Sequence, residues 1–313
     1  MEIAIRPLEE HELPAADHIF RLAFGTFVGL PDPQQFSGDC AYVRTRWLAD
    51  PQSTFAAVSD SGLLGSNFAT RWGAFGFFGP LSVRPELWDR GVAKRLLAET
   101  MDRFAAWQLA HAGLFTFAQS AKHIGLYHHF GFYPRFLTAI MAKPVTAAAP
   151  MRPEQQLSAQ PAGARAAVFD ACRTISSAIL DGLDLEIEMR AVQAHALGDT
   201  VLLADEGAQR GFAVCHVGAG TEAGSGVCYV KFGAVPPGAA AAADFVRLLD
   251  LCERFAALRG ARQLVAGVNT ARESAYTTLL SCGFRTIIQG VAMHRPNAPA
   301  HNRPDVFAID DWR

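Results

Sequence analysis

Residues 79–97 read GPLSVRPELWDRGVAKRLL. The apolar run ending at Val83 reads as a buried strand. Arg84-Pro85-Glu86 breaks it, because proline lacks a backbone donor and biases its predecessor away from helix. From Arg90 onward Ala93, Leu97, Met101 and Phe104 recur at helical spacing. Between strand and helix, Arg90-Gly91-Val92-Ala93 sets small residues at a helix N-terminus. Unpaired N–H groups and the positive end of the helix dipole there suit a phosphate or pyrophosphate. A glycine at such a joint serves turn geometry equally well. The stretch alone therefore leaves an anion cradle and a plain strand–loop–helix joint both open.

The chain has 313 residues, half of them hydrophobic, and a net charge of −2. That length suits two domains, each with its own core. The near-neutral balance argues against nucleic acid or an anionic membrane as partner, and no apolar run reaches the length needed to span a bilayer. The N-terminus, MEIAIRPLEEHEL, is acidic after its first strand and is not a secretory signal. The six cysteines, Cys40, Cys172, Cys215, Cys228, Cys252 and Cys282, form neither a CxxC pair nor a zinc spacing, which predicts free, mostly buried thiols. A soluble cytoplasmic protein is the expectation.

Working outward, Ile3–Ile5 reads as a strand and residues 13–24 as a helix, with a second helix over 40–48. Strands are expected at 54–58 and 63–72, joined by the turn Ser59-Asp60-Ser61-Gly62. After the opening stretch come a strand at 114–118, a short helix at 124–130 closed by Gly131, and a strand at 136–141. Residues 144–164, rich in Pro, Ala and Gln, read as a linker. The pattern then restarts with a helix at 167–180 and strands at 200–204 and 211–216. A turn at Asp205-Glu206-Gly207 joins those two strands, and a Gly-rich loop spans 218–226. A strand at 227–235, a helix at 239–258, a strand at 264–268, a helix at 274–280 and a strand at 287–293 complete the second half. A tail from Phe307 to Arg313 packs its aromatics on the body. Mixed strands and helices, with an antiparallel meander feeding a crossover, mark an α/β (α+β) fold with a mixed sheet.

The second half lies on the first with a constant offset. Gly131-Phe132 and Gly283-Phe284 stand 152 positions apart, and the same shift matches Val83 with Val235, Pro85 with Pro237 and Met141 with Met293. Two copies of one fold follow, with boundaries expected at 1–145, a linker at 146–164 and a second copy at 165–313.

The order of elements, with Trp88-Asp89-Arg90-Gly91-Val92-Ala93 opening the long helix and Tyr127-His128-His129-Phe130-Gly131-Phe132 closing the late one, resembles the GNAT N-acetyltransferase superfamily. Its loop pattern is Q/R-x-x-G-x-G/A and its helix ending is Y-x-x-x-G-F. The resemblance covers residues 1–145 well and 165–296 more faintly. It implies two tandem GNAT-like domains and acetyl-CoA bound between two splayed parallel strands. Leu81, Ser82 and Val83 would hydrogen-bond the pantetheine, and the backbone of Arg90, Gly91, Val92, Ala93 and Lys94 would cradle the pyrophosphate, with Trp88 at the head of the loop. Ser120 stands where many members carry an asparagine that contacts the pantetheine. Tyr127 would be the acid for the departing thiolate, and a small-molecule or peptide amine would attack directly.

Trp88 replaces the loop's first Gln or Arg, and no carboxylate precedes Val83. The base would be a water relay, His123 or His129. In the second copy Gly91 becomes Ala243, Ala93 becomes Phe245 and Tyr127 becomes Leu279, which predicts a degenerate, non-catalytic domain. His123, His128 and His129 lack a carboxylate or cysteine partner at metal-ligand spacing, so no metal site is expected. The acidic run Asp181, Asp184, Glu186 and Glu188 reads as a solvated face or as a lure for a cationic amine. Helix residues Arg44, Arg46 and Trp47 stand where the family keeps acceptor contacts. The expected activity is acetyl transfer to an amine by the first copy. The alternatives are an acyl-CoA-binding scaffold without turnover and a chain whose second copy is the active one.

Overall fold

The computed structural model describes residues 2–146, 149–205 and 207–313. Ala147 and Ala148 of the expected linker, and Glu206 of the expected turn, lie outside the described residues. The first copy runs β1 (Ala4–Pro7), α1 (Leu13–Phe27), α2 (Tyr42–Ala49), β2 (Thr54–Ser59), β3 (Gly62–Trp72), β4 (Phe75–Phe78), β5 (Ser82–Val83), α3 (Val92–Ala106), β6 (His111–Thr116), α4 (Ala121–His129) and β7 (Tyr133–Pro144). The second runs α5 (Arg165–Ile179), α6 (Glu186–Ala194), β8 (Gly198–Asp205), β9 (Ala208–Gly218), β10 (Gly224–Ala234), α7 (Ala241–Leu258), β11 (Gln263–Asn269), α8 (Glu273–Ser281), β12 (Arg285–Arg295) and β13 (Ala308–Ile309).

One 13-stranded mixed sheet joins the copies in the order β1-β2-β3-β4-β6-β12-β7-β11-β10-β9-β8. The 152-residue offset reappears in its registers. Parallel β4 and β6 pair Phe75 with His111, and parallel β10 and β11 pair Val227 with Gln263. The last strands of the copies are exchanged. β12 lies beside β6, pairing Val291 with Thr116, while β7 lies beside β11, pairing Ala139 with Val268. Between the two exchanged strands Thr138 faces Gly290, its own counterpart under the offset. The ladder therefore has a pseudo-twofold axis at that pair.

Helix α3 buries Val92, Leu96, Leu97, Thr100 and Phe104 along one stripe. Leu96 and Leu97 are fully enclosed, and each contributes about 1.5–3 kcal/mol relative to exposure. Its counterpart α7 does the same with Phe245, Leu248, Leu249, Cys252 and Phe255. The segment expected as a linker is packed: Leu157 is fully buried and donates its N–H to the Thr200 carbonyl at 2.9 Å. That bond repeats the one from Leu8 to Thr54 in the first copy, so Gln156-Leu157 is a remnant of a first strand.

Two expectations change. The run ending at Val83 is not one strand. Phe75–Phe78 pairs with β6, the chain breaks at Gly79–Leu81, and Ser82–Val83 pairs with β3 instead. The acidic run is not a solvated face beyond Asp181, which is exposed. It opens α6, where Asp184 and Glu186 pair with Arg173. Glu188 is buried, accepting from the Trp72 indole at 3.1 Å and pairing with Lys231 at 2.7 Å.

Candidate active site

The break after Phe78 creates the site. β4 and β6 pair only through Phe75–Phe77 and His111–Gly113, whereas β6 continues to Thr116 and Ser82–Val83 turns toward β3. The strands splay, and a cavity of about 1010 Å³ opens between them, reaching from the N-terminus of α3 to the aromatic side chains of α1. That volume stands at the upper end for a small-molecule pocket.

At one end, Gly91 precedes α3 in the left-handed region, with φ 81°, and no side chain caps the helix. The first-turn N–H groups of Val92, Ala93 and Lys94 have no intrahelical acceptors, and these three residues line the cavity. Nothing stands within 4 Å of where a Gly91 Cβ would lie, and the first turn holds no acidic residue. This end can take a diphosphate. Leu81, Val83 and Trp88 also line the cavity. The Trp88 indole N–H donates to the Val83 carbonyl at 2.9 Å, bracing the loop. Arg90 points to solvent, outside the lining. Ser82 is buried beneath the cavity with its hydroxyl 3.3 Å from that of Ser66. Ser120 caps α4, accepting from the His123 N–H at 3.3 Å, and does not line the cavity.

At the splay, α4 presents His123 and Tyr127, one helical turn apart, to the same cavity. The Tyr127 ring meets the Phe78 ring edge-on at 5.6 Å. Burial pushes its phenol well above the usual range, so it holds its proton at neutral pH. Burial, followed by the nearby Lys122, lowers the His123 pKa, which keeps that imidazole neutral and able to accept a proton. His129 lines the cavity as well.

The corresponding gap in the second copy is filled by the chain's own tail. Ala308–Ile309 pairs antiparallel with Gly233–Ala234 of β10, where β10 leaves β11. Arg272, the counterpart of Ser120, is fully buried. It donates to the Ala308 carbonyl at 3.0 Å and to Asp310 Oδ1 at 2.9 Å. A Cβ on Gly267 would come within 2.2–2.6 Å of the Asp311 side chain, so glycine there makes room for the tail. Helix α7 starts three residues early relative to α3, winding the would-be cradle into helix, and carries Asp244 in its first turn. A phosphate would meet neither open N–H groups nor favourable charge.

The tail continues from this filled gap to the first copy's cavity, where Trp312 and Arg313 become lining residues. Sequence reasoning did not locate the tail. The readable signal was Arg272, a charge at the place the offset assigns to Ser120. Arg46 of α2, expected among the acceptor contacts, is buried. It bridges to Glu222 of the second copy at 3.2 Å and donates to the Gly79 carbonyl at the chain break. Glu222 also pairs with Lys231 at 2.8 Å. Burial alone would raise its pKa, but Arg46 and Lys231 together hold it below the usual carboxylate range.

Residues 17–132 match the model of the acetyltransferase (GNAT) family. No curated protein matches the chain in sequence. Among solved structures, a Pyrococcus horikoshii protein assigned as an acetyltransferase superposes with a TM-score of 0.69 at 13% identity, covering 99% of this chain and 95% of its own. A GCN5-related N-acetyltransferase from Sphaerobacter thermophilus gives 0.62 at 15%, covering 94% and 95%. A tandem GNAT protein from the clavulanic acid biosynthesis pathway gives 0.57 at 12%, covering 94% and 98%. At these identities the likeness is one of fold. Together with the repeated registers, it gives this chain the fold of two tandem GNAT-like domains, with the family match lying on the copy that carries the open cleft.

Proposed function

We propose that the chain is an N-acetyltransferase that moves acetyl from acetyl-CoA to an amine, with residues 1–145 as the catalytic domain and 165–313, together with the strand remnant at 156–157, as a degenerate copy. The carrying observation is the contrast between the two clefts. One is open and ends on Gly91, while the other is filled by residues 308–311. Bound acyl-CoA supplies an activated thioester. The backbone of Gly91–Lys94 would hold its diphosphate, and Leu81 and Val83 would flank its pantetheine; Trp88 braces that wall from within the loop. Ser82, Arg90 and Ser120 act from behind or beside the cleft, by supporting the strand, the loop and α4. Tyr127, protonated and facing the splay, is the acid. His123, neutral and one turn away, is the base that the absent carboxylate leaves open. Its free cysteines suit a reducing, cytoplasmic compartment.

The absence of a carboxylate from the strand residues Phe75–Val83 favours one second reading, an acyl-CoA-binding scaffold without turnover. Thiol release from acetyl-CoA over a panel of amines decides between them. Release by the wild type and its loss in Gly91→Glu support the enzyme. Acetyl-CoA binding without release across the panel supports the scaffold.

A further inference from the structure

Resting on that reading, we propose that the acceptor is an amine with a bulky apolar body and no second cationic group. The cavity beyond Tyr127 is walled by aromatic side chains of α1 and the loop after it. The Phe24 ring centroid lies 4.9 Å from that of Phe20 and 5.3 Å from that of Phe36, and the tilted Phe27 ring lies 5.0 Å from Phe117 and 4.7 Å from His123. The wall thus runs unbroken from the outer helix to the base.

The opposite wall belongs to the exchanged strands and the tail. Ile140 of β7, Ile288 of β12 and Trp312 all line the cavity. Trp312 sits flush on β6 because a Cβ on Gly113 would come within 2.7 Å of its ring. The second copy therefore contributes substrate-binding surface to the first.

Charge decides what this space rejects. The titratable groups lining the cavity, among the described residues, are Tyr42, Asp89, Lys94, Lys122, His123, Tyr127, His129 and Arg313, so its cations outnumber its one side-chain carboxylate. Burial pushes the Tyr42 phenol up to about 12, which leaves it neutral. The carboxylates near this wall each have at least one partner, although Asp311 Oδ2 accepts no hydrogen bond among the described residues. Asp311 lies 3.4 Å from Arg313 and accepts from the Tyr229 hydroxyl at 3.0 Å. Glu222 is held by Arg46 and Lys231. Asp39 accepts from the Ser225 N–H at 2.8 Å. Asp89 lines the donor end and pairs with Lys122 at 2.7 Å. A second ammonium would lose its hydration beside the Arg313 guanidinium, which disfavours it. Polyamines and lysine-rich peptides are thereby disfavoured, whereas an aryl or alkyl body gains from burial.

In the transfer itself the amine nitrogen forms the amide C–N bond as the thioester C–S bond breaks. The amine proton passes to His123, and the sulfur takes the Tyr127 proton. Both residues restore their protonation through solvent, with no redox change.

The test is calorimetry of 2-phenylethylamine and of spermidine on the CoA-loaded protein, alongside thiol release with each. We expect 2-phenylethylamine to bind at least tenfold more tightly. Phe27→Ser, at a half-exposed position, should weaken it about tenfold without changing acetyl-CoA affinity, and Phe24→Ser should do the same if its melting temperature is retained. Equal or tighter binding of spermidine, or no binding of 2-phenylethylamine, overturns the proposal. Thiol release with spermidine alone would leave acetyl transfer standing and remove this acceptor class. Binding of 2-phenylethylamine with no release would keep the acceptor class and remove the transfer.

Discussion

Arg272 holds Asp310 inside the second cleft, at 2.9 Å to its Oδ1 and 3.0 Å to its backbone carbonyl, with both side chains out of solvent. His301 approaches the other carboxylate oxygen at 2.7 Å. Burial alone would raise the Asp310 pKa, but Arg272 and His301 offset it and hold the carboxyl down at about 2. The tail is thus anchored by a buried ion pair at the position where the first copy carries only Ser120.

Asp310→Ala should strip Arg272 of its counter-charge and cost about 3–5 kcal/mol. Urea unfolding measures it, and proteolysis should reach the released tail. A loss under about 1 kcal/mol would mean that the tail is not anchored here. The variant should still bind a single acetyl-CoA, since Phe245, Asp244 and the early start of α7 remain.

Tyr127→Phe should lower kcat about 100-fold, within the range for loss of a general acid, while acetyl-CoA affinity stays within about twofold. The hydroxyl faces the cavity without a structural partner, so its removal should not unfold α4. An unchanged kcat would remove the acid role.

His123→Gln should flatten the acidic limb of the kcat/KM profile. Burial shifts the His123 pKa downward, so in the wild type activity should fall only once pH drops below about 6.5, the ordinary histidine value. A limb that persists in the variant would assign the base to His129 or to water.

Stability should weaken in mild acid through buried histidines elsewhere. His111 and His294 share a hydrogen bond of 2.9 Å beneath Trp312. Burial, followed by neighbouring positive groups, lowers them to about 4 and about 3. The unfolded chain takes up these protons near pH 6.5 and the folded one does not. Stability is therefore complete above about 6.5 and falls toward 4, by up to about 1.4 kcal/mol per pH unit for each group. A melting temperature that is constant from pH 7 to 5 would contradict this.

The elements of each copy were legible because their periodicity is local. α4 and α8 begin and end 152 positions apart, as the offset requires. The exchange of β7 and β12 was not legible. Both strands carry the same pattern and run antiparallel to either neighbour, so nothing in the residues decides which partner each takes. The strand Phe75–Phe78 was not legible either, because a parallel strand buried on both faces lacks alternation. Glu188, Glu222, Lys231 and Arg46 resisted reading for another reason. Charges read as solvated until their partners, more than a hundred residues away in the case of Arg46 and Glu222, are known. Gly91, Val92, Ala93 and Tyr127, named from local pattern, all line the cavity. The tail's role depended on a contact across the whole second copy.

The central claim is one working cleft per chain. Calorimetric titration with acetyl-CoA tests it most directly, on the wild type and on Gly91→Glu, whose side chain would enter open space at the cradle. One equivalent bound per chain, lost in the variant, is the result expected. Two equivalents, or one that survives in Gly91→Glu, would contradict it.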